Sequence, residues 1–178
     1  MKKIAMILCV LSLVSCRPTV VTIVHPYETI VLKRAITAWA QDAAAKNDMK
    51  FLMVANVTNS ESCLFCTAFI DHHRKTLPEV KEFAKDYLNR YLDFLKNCPD
   101  LHAFFTKVHS VDPKDFPWTE LALEQVGFKI SYWDNDMNRF APPYVSEVVF
   151  ADKTFSYYEA DAQTGKLRLV CTEQYKNQ

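Results

Sequence analysis

Thr76-Leu77-Pro78-Glu79-Val80-Lys81-Glu82-Phe83-Ala84-Lys85-Asp86-Tyr87-Leu88-Asn89-Arg90-Tyr91-Leu92-Asp93-Phe94-Leu95 is the stretch on which the fold turns. Thr76 and Glu79 form a capping box: the threonine side chain can accept from the Glu79 amide while the glutamate reaches back. Leu77, Val80, Ala84, Tyr87, Leu88, Tyr91 and Leu95 then trace one face of a helix. Pro99, after Asn97-Cys98, cannot continue an α-ladder and ends it. A long amphipathic helix must bury that face, and its neighbours say against what.

Upstream, Phe51 to Val57 and Leu64 to Ile70 read as two strands around the polar loop Thr58 to Ser62, a hairpin. Alternation in the second strand assigns Leu64, Cys66, Ala68 and Ile70 to the inward face. Before the hairpin, His25-Pro26 opens a helix whose stripe is Leu32, Ile36, Trp39 and Ala43, and Asn47-Asp48 stops it. Downstream, Asp100 to Lys107 reads as a short helix, and Asp112-Pro113 and Phe116-Pro117 mark a loop. Thr119 to Gln125 fits either helix or strand. Phe128 to Tyr132, Tyr144 to Phe150, Thr154 to Glu159 and Leu167 to Thr172 are further strands, with Asp134 to Asn138 and Gly165 as turns. The expected class is α+β. It is a two-layer sandwich, an antiparallel sheet of about five to six strands with two main helices on one face.

Composition narrows the function. Apolar residues make up 49%, too many for a disordered chain. Only two glycines occur, Gly127 and Gly165, so no glycine-rich phosphate loop exists, and these two are the expected sites of unusual backbone. Lys+Arg and Asp+Glu are equal at 21 each, which offers no footprint for nucleic acid. No motif implies a cofactor.

The first fifteen residues read as a signal peptide: Lys2 and Lys3, an apolar run from Ile4 to Val14, then Ser15. Leu13-Val14-Ser15-Cys16 resembles the lipobox of bacterial lipoproteins. The resemblance implies cleavage before Cys16, acylation of that cysteine, and a firm anchor, since several chains are carried. Arg17 after the cysteine leans towards an outer over an inner membrane. Residues 16–24 would be the lipidated cysteine and its tether, in which Val20 to Val24 can add an edge strand, and 25–178 a single domain. Loss of Lys2 and Lys3 leaves a small acidic excess, so the lipid rather than a basic patch would hold the chain to the membrane.

Four other cysteines remain in the mature chain. Cys63-Leu-Phe-Cys66 has the CxxC spacing of thiol redox sites, which work from a helix N-terminus. Here the following residues favour a strand, where such positions point to opposite faces roughly 10 Å apart. Cys63, Cys66, His72 and His73, with Asp71 or Cys98, also contain the ligand types of a metal site, without the usual zinc spacing. Cys98 and Cys171 can pair as a disulfide or remain small core residues. Asp134, Asn135, Asp136 and Asn138 begin like a calcium loop, but Arg139 stands where glycine is required, so a hairpin turn fits better. Single histidines and scattered carboxylates define no catalytic arrangement. Aromatic residues crowd the C-terminal half, and alternation sets Trp133, Phe155 and Tyr157 opposite the helices as a candidate binding face.

The chain from Leu77 onward also resembles a family of small, uncharacterised secreted or lipid-anchored proteins of obligately intracellular bacteria. The shared features are an N-terminal helix ending near Lys46, Lys50-Phe51-Leu52, Glu79-Val80-Lys81-Glu82, Ile130 to Asp134, Val145 to Phe150 and Glu173-Gln174-Tyr175. The resemblance implies no activity. The expectation is a lipid-anchored cell-envelope protein, a non-enzymatic module binding an unknown protein or small molecule. A thiol-redox or metal-binding protein using Cys63 and Cys66 is the alternative.

Overall fold

The computed structural model describes residues 26–58, 63–103, 123 and 126–176. The signal peptide, the tether, residues 104–107 of the expected short helix and, apart from Leu123, the segment to Gln125 lie outside them, while residues 99–103 are helical as expected. Helix α1 spans Pro26–Lys46, strands β1 and β2 span Met49–Thr58 and Cys63–Asp71, and helix α2 spans Leu77–Lys96. Strands β3 (Val126–Tyr132), β4 (Glu147–Ala151), β5 (Thr154–Ala160) and β6 (Leu167–Gln174) complete one six-stranded sheet in sequential order. The class is α+β with an open sheet, and both helices lie on one face, as expected.

The sheet is mixed. β2 runs parallel to β3, pairing Phe65 with Val126 through Asp71 with Tyr132, and every other neighbouring pair is antiparallel. The expectation of a wholly antiparallel sheet fails at this seam because the long connection from β2 to β3 contains α2. A helical crossover returns the chain to the end where β2 began.

Rings fill the space under α2. Tyr87 is fully buried and meets Phe69 of β2 at 5.4 Å and Phe128 of β3 at 4.8 Å, both edge-on. Trp39 of α1 stacks on Tyr91 at 4.7 Å and Phe94 at 5.3 Å, joining the two helices. Each such pair contributes about 0.5–1.5 kcal/mol beyond the area it buries. Glu79 reaches back as the capping box requires, its carboxylate accepting from Thr76 N at 2.7 Å and Thr76 Oγ1 at 2.6 Å.

Two facing assignments are reversed. Thr67, Phe69 and Asp71 face the helices in β2, so Cys66, Ala68 and Ile70 take the other face. The larger ring decides. Phe69 engages Phe51 and Tyr87, and Thr67 is accommodated because its hydroxyl bonds Tyr87 Oη at 3.0 Å. A strand offset of one residue exchanges its faces completely. In β5, Phe155 and Tyr157 are fully buried on the helix side. Phe155 pairs with Phe150, which stacks beside Phe128, and Lys81 of α2 lies over Tyr157.

Scarce glycine leaves its mark in the turns. Gly165 has φ +65°, as expected, whereas Gly127 sits inside β3 with no positive φ. Left-handed backbone falls instead on Asp48, Met137 and the adjacent pair Asp152-Lys153, which turn β4 into β5. Two consecutive positive φ angles match the twist of a tight hairpin.

Candidate functional site

At the C-terminal end of β2, Asp71 is a charged residue in phase with core residues. It has no exposed surface. Its Oδ1 accepts from His73 N at 2.9 Å and lies 2.8 Å from His73 Nδ1, and its Oδ2 pairs with Lys75 Nζ. The Lys75 ammonium also sits over the rings of Phe83 (4.5 Å) and Tyr132 (5.6 Å). His73 Nε2 reaches Asp48 Oδ2 at 3.6 Å, in the turn between α1 and β1. Burial, with the Asp71 carboxylate second, holds the Tyr132 phenol well above its ordinary range. The Tyr132 hydroxyl has no hydrogen-bond partner among the described residues.

The loop that follows is stitched to the β3–β4 connection. Trp133 N donates to Asp71 O, Val145 N donates to Lys75 O, and His72 Nδ1 lies 3.0 Å from Trp133 O. Arg74 covers the rings of Phe140 and Tyr144. His72 and His73 therefore hold one corner of the fold together. The alternative in which these histidines converge with the CxxC is not formed: Cys66 lies five positions up the strand from Asp71, roughly 16 Å away by strand rise. Among the described residues, no group of three His, Cys, Asp or Glu can hold a metal ion.

Cys63 and Cys66 both fall on β2, within a strand rather than at a helix N-terminus that would activate a thiol. The Cys66 sulfur is unbonded, and burial pushes its thiol up, away from a reactive thiolate. Cys98 and Cys171 are both free, so the candidate disulfide between them is absent, and Cys98 is a core residue.

Of the three candidate binding aromatics, Trp133 alone reaches the surface. It is half-buried just past β3, bridges Arg139 and carries the Arg139 guanidinium 5.7 Å from its ring centroid. Met137, Asn138, Arg139, Ala160, Asp161 and Gly165 complete a recess of about 350 Å³ beside it. The turn that shapes this recess is held by Asp134 Oδ1, which accepts from Asp136 N (3.0 Å) and Asn138 N (2.8 Å). Asp161 Oδ1 accepts from Gln163 N, Thr164 N and Thr164 Oγ1, and these bonds, the Thr164 amide first, lower its carboxyl pKa. An aromatic ring, a guanidinium and a carboxylate around one opening offer stacking plus hydrogen bonds of both polarities.

A second opening, a groove of about 770 Å³, runs between α2 and β6. Glu173 receives Lys85 and, at 3.5 Å, Lys81, and the Lys85 contact chiefly holds its carboxyl below the usual range. Tyr175 Oη donates to Asn89 Oδ1 at 3.0 Å, and Phe155 closes the floor. The sequence pointed to Asp71 only as a possible metal ligand and to Arg139 only as a departure from a calcium loop, and it gave Lys75 and Tyr132 no site role. The signal for Asp71 was its two-residue spacing from Phe69, visible only once Phe69 is set inward. Compared with known proteins, the chain matches no family model, no curated protein and no solved structure.

Proposed function

We propose that this is a lipid-anchored cell-envelope protein whose folded domain is a non-enzymatic binding module. The run Leu13-Val14-Ser15-Cys16 after a lysine pair and an apolar stretch carries the anchor. The Trp133 recess is the part of the domain best suited to a ligand. Its partly exposed ring and flanking Arg139 and Asp161 can orient a small polar molecule or a protein side chain. Arg17 favours the outer membrane. No helix among the described residues is long and apolar enough to cross a membrane, which is compatible with attachment by lipid. Intact mass after growth with a palmitate analogue tests the anchor. The expected mature chain starts at acylated Cys16, and Cys16→Ser abolishes the label. A chain that retains residues 1–15 without label refutes it.

A further inference from the structure

We propose that the exposed face of α1 formed by Ile30, Lys33, Arg34, Ala38 and Gln41 rests on an anionic lipid surface and so orients the tethered domain. The proposal depends on the anchor at Cys16. The opposite face of α1 is committed: Leu32, Ile36, Ala40, Ala43 and Ala44 are buried against the rest of the core. The outward face combines a half-exposed Ile30 (49%) with exposed Lys33 and Arg34, which form no ion pair among the described residues. The next acid along the helix, Asp42, is already paired with Lys46 at 2.7 Å.

Charge is distributed to match. Residues 16–41 carry Arg17, Lys33 and Arg34 against Glu28, while the chain from Asp42 onward has an acidic excess. The positive end is therefore the tethered end, and the acidic remainder is repelled by the same headgroups. Reach agrees as well. The stretch from Cys16 to Pro26 spans at most roughly 35 Å when extended, comparable with the ~30 Å length of α1. Lys33 and Arg34 can thus come within a Debye length of about 8 Å of the headgroups, where basic side chains are attracted and Ile30 can enter the interface.

Lysine footprinting on the full acylated chain tests this. The chain is reconstituted in phosphatidylethanolamine vesicles with about 30% phosphatidylglycerol, or in phosphatidylcholine vesicles alone, and acetylated with an activated ester. Lys33 modification should fall about fivefold or more on the anionic vesicles, with exposed Lys166 unchanged. About 1 M salt, with a Debye length near 3 Å, should restore it, and Arg34→Glu should remove most of the protection. Equal Lys33 modification on both vesicle types, or a parallel fall at Lys166, overturns the proposal. Intact mass reports acylation separately. A chain lacking acyl groups is held on nickel-chelating lipid by an N-terminal histidine tag and footprinted in the same way. Protection of Lys33 there upholds the surface even though the anchor has failed, and its absence overturns the surface.

Discussion

Two carboxylate–lysine contacts adjoin α2, and they differ in almost everything except chemistry. Asp71 with Lys75 lies at the end of β2, where the carboxylate has no solvent exposure. Glu173 with Lys81 and Lys85 lies on β6, where the glutamate side chain is 31% exposed and both lysines are wetter still. Water can replace a lysine at Glu173. At Asp71 the only replacements are His73 and the backbone, so the pair is obligatory once the strand is buried. The contrast is between a pair whose loss strands a buried carboxylate and one whose loss solvent can make good.

The largest effect should come from breaking the buried pair. Asp71→Ala or Lys75→Ala should cost about 3–5 kcal/mol in urea unfolding, because each leaves one charge without its partner. The double variant should cost clearly less than the sum. Additive losses would show that the two residues stabilise the fold independently. Next in size is Tyr132→Phe beside them. Removing a buried hydroxyl that has no partner should raise stability by about 1 kcal/mol. The same change should flatten the alkaline limb of the stability curve. A phenol whose folded pKa is raised contributes stability that is complete below its unfolded pKa, near 10, and is lost as pH rises through the higher folded value. An unchanged limb would assign alkaline unfolding to other tyrosines.

Smaller again is Glu173→Gln, expected to cost under about 1 kcal/mol at neutral pH and less in high salt. Its folded pKa is depressed below the usual 4.5, so its contribution is present above that value and fades as pH falls through the folded pKa. The variant should therefore differ from the parent at neutral pH and converge with it in acid. A cost of several kcal/mol at Glu173 would erase the distinction between the two pairs.

Local signals carried most of the architecture. The Thr76–Glu79 cap, the stripe from Val80 to Leu95, the α1 stripe and the four C-terminal strands all emerge with boundaries close to those expected. The facing of β2 and β5 was harder to read. In β2 both alternating sets contain apolar residues, so hydropathy cannot choose between Cys66-Ala68-Ile70 and Thr67-Phe69-Asp71. The choice depends on Tyr87 and Lys75, which approach from outside the strand. In β5 a surplus of aromatic residues suggests an exposed face, yet the helices leave room for Phe155 and Tyr157 beneath them. The recess at Trp133 was half legible. The tryptophan stood out, but Arg139 and Asp161 reach it only through the turn geometry and the return of the β5–β6 connection.

The parallel seam between β2 and β3 also bears on how the chain folds. The β1–β2 hairpin and the β3–β6 meander each close over connections much shorter than the one between β2 and β3, so each forms from contacts nearer in sequence. The seam joins Phe65 to Val126 and must bring together two halves separated by the whole of α2 and the segment after it. Closing that long loop carries the largest entropic cost in the sheet, which raises the contact order above that of a simple meander. Refolding should therefore show early protection of amides within the meander, with the β2–β3 amides protected last.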